Sequence, residues 1–125
     1  MSDERHDRGM RTRREVLGDA HVERAVAATT PFTRPFQDHI VGAAWADVWS
    51  REGIDRRTRS VVTLSVLMAL GHWEELRMHV LAARRNGLGE EEIAEVLLHA
   101  TVYCGAPAGN RAFAVAAAAL AEPEV

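Results

Sequence analysis

The sequence predicts an all-α protein of about six helices in a single compact domain, and three observations predict it. Apolar residues recur three and four positions apart from Arg11 onward, as one face of a helix requires. Two-residue alternation is absent even across the valine-rich stretch at 61–66, so no strand is expected. Glycine and proline punctuate the apolar runs at short intervals, which leaves only short loops.

Residues 1–10 are polar and read as a flexible tail, with the domain over 11–122. "TRREVLGDAHVERAVAA" carries Val16, Leu17, Ala20, Val26 and Ala27 and is broken or capped near Gly18. Thr30-Pro31 and Arg34-Pro35 mark a linker. From Pro35, suited to a first turn, a helix with Phe36, Ile40, Ala43 or Ala44, and Val48 on one face runs to a stop at Gly53. Asp55 is placed to cap "RRTRSVVTLSVLMALG", whose core stripe is Val61, Leu64, Leu67 and Met68. After Gly71 the pattern resumes over 72–86 with Leu76, Val80 and Ala83, and "NGLG" at 86–89 closes it. Glu90, Glu91 and Glu92 suit the exposed N–H groups of the next first turn. Ile93, Val96, Leu97, Ala100 and Tyr103 line one side of that helix. "CGAPAGN" interrupts, and an alanine-rich helix ends the chain.

With 47% apolar and 26% charged residues among 125, the chain is neither disordered nor fibrous. A net charge of -3 gives no general pull towards nucleic acid, and the basic clusters "RTRR" and "RRTR" lack interleaved aromatics. Cys104 is alone, so there is no intrachain disulfide and no cysteine-only metal site. No signal peptide is evident, and the near-apolar stretch from Val61 to Gly71 is too short to span a bilayer. A soluble cytoplasmic protein is expected, without membrane or nucleic-acid partners. Several helices are apolar on more than one side, more than one small core can cover, which points to self-association.

"HWEELRMH" at 72–79 concentrates polar chemistry. On a helix His72, Glu75 and His79 share one face. They supply three potential metal ligands, yet positions seven apart lie about 10 Å apart along the axis, too far for both imidazoles to hold one ion. No metal is expected. Left to themselves, a glutamate and a histidine four apart are most often a solvated or structural pair. Arg56, Arg57 and Arg59 are read as a wet first turn or as carboxylate anchors. Trp45, Trp49, Tyr103 and His39 suit either core and interface or substrate contact, and Cys104 is expected to be buried and inert.

Four ordered blocks carry a wider likeness: "RTRREVLGDAHVER", "FQDHIVGAAWADVWSREGIDRRTRSVVTL", "ALGHWEELRMHVLAARRNG" and "EEIAEVLLHATVYCGAPAGNRAF". Through them the chain resembles the carboxymuconolactone decarboxylase family. That family also contains thioredoxin-linked peroxidases, marked by two cysteines and a histidine where His72, Glu75 and His79 stand here. Disulfide exchange needs two thiols, so the peroxidase branch is excluded. The resemblance implies an all-helical homo-oligomer, a hexamer, with Glu75 and His79 in the active-site cavity. It implies decarboxylation of 4-carboxymuconolactone, a dicarboxylate lactone of aromatic catabolism, to an enol-lactone and carbon dioxide.

Such a substrate carries its own electron sink, so no cofactor is expected. The protein must hold the acetate arm, stabilise charge at the lactone carbonyl, and deliver a proton. His79 and Glu75 are the candidates for proton delivery or charge stabilisation. Arg59 is the candidate anchor, with Arg56 and Arg57 competing, and His39, Trp45 and Tyr103 are candidate substrate contacts. The alternatives are a sister enzyme on a related substrate or a catalytically silent helical oligomer. A closed polar cavity holding Glu75 and His79 would favour the enzyme; a filled apolar seam would favour the silent protein.

Overall fold

The computed structural model describes residues 3–123, and among these every regular element is helical. The all-α expectation therefore holds. The chain packs as two compact units, divided between Asp55 and Arg56.

In the first unit, α1 spans Asp3–Leu17, α2 Asp19–Ala28 and α3 Arg34–Ile40, and a π-helical segment follows over Val41–Trp49. α1 begins eight residues before the expected start, and this corrects the reading of residues 3–10 as a tail. Their polarity serves packing at long range: Arg5 donates to Asp47 through Nε at 2.9 Å and through Nη2 at 2.5 Å. Gly9 lets α1 close on the π segment, since a Cβ there would strike the Val41 carbonyl. These partners lie 42 and 32 positions away in sequence, where no local pattern reveals them. Gly18 divides α1 from α2 as expected, with a φ of 91° that side-chain-bearing residues rarely adopt.

The ordinary helix expected from Pro35 becomes π-helical after Ile40. A π turn closes i→i+5 bonds and so holds more residues, which brings positions four apart closer to one line. Val41, Trp45 and Trp49 follow that line and are buried, the two indoles 5.5 Å apart between centroids.

The second unit is a four-helix core: α4 Arg56–Leu70, α5 Trp73–Arg85, α6 Glu90–Cys104 and α7 Ala106–Leu120. α5 packs against α4 and α7, and α6 packs against the same two helices. Leu64, Met68, Leu76, Val80, Ile93, Leu97 and Ala112 are at most 1% exposed and form its centre. On α4 the buried stripe is Ser60, Leu64 and Met68, while Val61 and Leu67 pack at its margin. Gly89 donates its N–H to Glu92 at 3.0 Å, fastening the first turn of α6.

One assignment on α6 is corrected. Ile93, Leu97 and Ala100 face the core, with Cys104 packed against it, but Tyr103 is 80% exposed. At about 100° per residue, Tyr103 falls well off the line that the first three define, whereas Cys104 falls on it.

Candidate active site

α5 places His79 on a different side from its main core stripe. Leu76, Val80 and Ala83 point into the centre of the unit, whereas His79, Ala82 and Asn86 share the neighbouring face at i, i+3 and i+7. That face meets α4: Asn86 donates from Nδ2 to Ser60 Oγ at 3.0 Å, and Ser60 is 1% exposed. His79 is 9% exposed and its Nδ1 is shut off from solvent. The imidazole therefore sits in a mixed setting, with alanine beside it and a polar Ser–Asn pair one to two turns further along.

Glu75, one turn before His79, is exposed. His72 is exposed too and is not part of the helix. It precedes Trp73 with a ψ of 76°, so the expected three-residue face reduces to Glu75 and His79.

Arg59 lies next to Ser60 on α4 and is half-buried. Its carbonyl accepts the Thr63 hydroxyl at 2.9 Å. Arg57 is engaged otherwise, in an ion pair with Glu92 of α6. Among the three arginines of that turn, Arg56 and Arg59 are both half-buried on the helix that packs against α5, and of the two Arg59 adjoins the buried Ser60.

The remaining candidates are dispersed. Tyr103 stacks on His99 of its own helix, ring centroids 5.7 Å apart, and faces outward. His39 is exposed on α3, and Trp45 is 5% exposed against Trp49; both belong to the first unit. Two grooves open on the second unit. One is lined by Arg57, Glu91, Glu92 and Glu95 around Val61 and Val96, the other by Trp73, Arg77 and Arg111 beside the alanines of α7. Neither includes Glu75 or His79. Among the described residues no three His, Cys, Asp or Glu side chains stand close enough to share a metal ion.

Ser60 and Asn86 were missed at the level of sequence. Ser60 was legible, because it precedes Leu64 and Met68 at four-residue steps; Asn86 was read only as a turn residue.

This architecture agrees with what the chain is similar to. Residues 34–118 match the model of the carboxymuconolactone decarboxylase family. A 4-carboxymuconolactone decarboxylase from Acinetobacter baylyi is 46% identical over 117 residues, covering 93% of this chain and 87% of that protein. A nitrosuccinic acid decarboxylase from Metarhizium robertsii is 48% identical over 101 residues, or 81% and 71% of the two chains. A second 4-carboxymuconolactone decarboxylase, from Pseudomonas putida, is 46% identical over 44 residues, covering 35% of this chain and 92% of that one. The chain belongs to the carboxymuconolactone decarboxylase family.

Proposed function

We propose that the protein decarboxylates 4-carboxymuconolactone to the β-ketoadipate enol-lactone, as a carbon–carbon lyase of aromatic catabolism. The observation that carries this reading is the 46% identity to the Acinetobacter baylyi enzyme across 93% of the chain. The buried His79 on the α4-facing side of α5 supports it.

The chemistry suits these residues. The substrate has a carboxylate and an acetate arm on one carbon of an unsaturated lactone ring. When the bond to that carboxylate breaks, its electron pair passes through the ring double bond to the lactone carbonyl as an oxyfuran-like anion, and carbon dioxide leaves. A proton then adds to the ring carbon next to the carbonyl. With its Nδ1 shut from solvent, His79 exchanges protons with a bound molecule through Nε2. Imidazole titrates near working pH, which suits it to donate to the oxyanion or the carbon. Glu75 orients that proton or supplies it. Arg59 grips the acetate carboxylate, for which a guanidinium fork is matched. The departing carboxylate is best left without a strong ion pair, which would stabilise the ground state.

The likeness to a nitrosuccinic acid decarboxylase favours a second reading of the same site. Nitrosuccinate and 4-carboxymuconolactone are both succinates carrying an electron sink on one of the two central carbons. The site then selects that pattern rather than the lactone ring. We place the protein in the cytoplasm as a homo-oligomer, the hexamer being what the family resemblance implies. Incubation with each substrate, following carbon dioxide and the organic product, decides between the readings. Turnover of the lactone alone supports the first and turnover of both supports the second. No product from either overturns the assignment.

A further inference from the structure

We infer that Arg13 and Gln37 form a binding site for a small organic carboxylate in the first unit, a site outside the α4–α5 chemistry described above. Arg13 lies on α1 with 8% of its surface exposed, and its Nε is sealed from solvent without a hydrogen-bond partner. Among the described residues its one hydrogen bond runs from Nη2 to Gln37 Oε1 of α3 at 3.4 Å. That is beyond the usual range of about 2.7–3.2 Å. No carboxylate of the described residues pairs with it.

Its neighbours on the same helix behave in the opposite way. Arg5, more than a third exposed, is bound in two places to Asp47. Arg14, a third exposed, meets Glu23 at 2.7 Å and Asp19 at 3.4 Å. Of the five arginines on α1, these two have acids, whereas Arg13, the buried one, has none among the described residues. A guanidinium taken out of water without a counter-charge is disfavoured. Its surroundings add to that. Burial, reinforced by Arg14, lowers the Arg13 pKa, and burial followed by the charges of Arg13 and Arg24 holds the His21 imidazole below its usual range. An anion seated here would offset all of these at once.

The donor geometry selects the anion. Nε–H and Nη2–H stand side by side on one edge of the guanidinium, the arrangement that a carboxylate takes bidentately, and a ligand that reaches the sealed Nε displaces the side chains over it. Gln37 receives Arg13 through Oε1 and keeps its amide N–H groups for the same ligand. Arg13 also precedes residue 34, where the match to the family begins. The likeness to the Acinetobacter baylyi decarboxylase covers 117 of 125 residues and leaves too few outside it to omit Arg13. The inference does not depend on the decarboxylase reading, and the two can fail separately.

The test follows the arginine Nε–H resonances of the full-length protein by NMR, assigned through bonds in the wild type. Sodium succinate, sodium phosphate and sodium chloride are titrated at matched ionic strength. The expected result is a saturable displacement of the Arg13 signal by succinate, with half-saturation at least about tenfold lower than for phosphate or chloride. The Arg14 signal should stay in place. Equal responses to phosphate overturn the carboxylate assignment, and a non-saturating response, or one shared by Arg14, overturns the site. Thermal unfolding of Arg13→Gln provides the second arm: a folded variant whose midpoint no longer rises with succinate supports the site. A variant that falls to a smaller oligomer, while wild-type Arg13 ignores succinate, places a second copy of the chain at Arg13 and overturns it.

Discussion

Glu75 and His79 stand one helical turn apart on α5, yet Glu75 is exposed while His79 keeps only 9% of its surface in contact with solvent. A solvated surface pair would expose both. The asymmetry fits a site whose inner group is set in the fold and whose outer group meets the ligand from the open side. His79→Ala and Glu75→Gln should each lose on the order of 10²-fold or more in decarboxylase turnover, a usual share for a positioned acid or base. Circular dichroism and light scattering should show helix content and mass unchanged. Wild-type rates in both variants would remove these residues from the site.

Arg59 should differ in kind. An anchor for the acetate arm contributes to binding substrate and transition state alike, so if Arg59 is that anchor, Arg59→Ala should raise KM by more than it lowers kcat. Arg57→Ala serves as the comparison, because its guanidinium is already committed to Glu92. A larger KM effect from Arg57 than from Arg59 would transfer the anchor to Arg57.

The Arg5–Asp47 pair predicts how the first unit responds to acid. The hydrogen bond from Arg5, aided by its charge, holds the Asp47 carboxyl below its ordinary value of 3.8. A depressed carboxylate contributes stability above its unfolded pKa, and loses it as pH falls through the folded one. Asp47→Asn should therefore be less stable than the wild type near neutrality, and the two should converge below pH 3.8. Denaturant titrations followed by helix signal at several pH values measure this. A difference that persists unchanged into acid would mean that the pair plays no part.

How much of this was legible in the sequence depends on the range of the interaction. Gly18, Pro35, Gly71 and the "NGLG" turn act on their own neighbours, and each falls at a helix boundary or within the first turn of a helix. The helicity of residues 3–10 rests on Asp47 and Val41, distant in sequence, and was not legible. The π turns over Val41–Trp49 keep the composition of an ordinary helix, so nothing local announces them. For the site, the residue types and the i, i+4 spacing singled out Glu75 and His79. The loss of His72 from their face follows from where α5 begins, and the burial of His79 depends on tertiary neighbours that its spacing does not reveal. Boundaries and tertiary neighbours lie outside what periodicity carries.

Close packing between α6 and α7 hinges on Gly109. A Cβ at that position would lie 2.5 Å from Thr101 Oγ1 and 2.6 Å from its Cγ2. Alanine gains about 1 kcal/mol of helix propensity over glycine, but forcing an extra carbon into a packed contact costs about 1–3 kcal/mol. Overpacking should win, so Gly109→Ala should lower stability. Adding Thr101→Ala removes both clashing atoms and should restore part of the loss, a coupling that a double-mutant cycle in denaturant would measure. Additive effects of the two substitutions would mean that the helices separate freely.

The last prediction concerns the apolar surface that remains. Val62, Val66 and Leu70 follow one another at four-residue steps along α4 and are 52%, 47% and 64% exposed. Leu98 and Val102 do the same along α6 at 55% and 77%. Isolated exposed apolar residues are ordinary on a protein surface, but aligned rows on two helices of one unit are not isolated, and such exposed apolar surface marks association. Burying it against a second copy removes that area from water at about 25 cal/mol per Å². Static light scattering at micromolar concentration should give a mass several times 13.8 kDa. Val66→Asp should lower that mass, because it places an unpaired charge in the centre of the α4 row, whereas Glu90→Lys, in the first turn of α6 and apart from both rows, should leave it unchanged. A monomeric wild type, or an undiminished mass in Val66→Asp, would mean that these rows are not where copies of the chain meet.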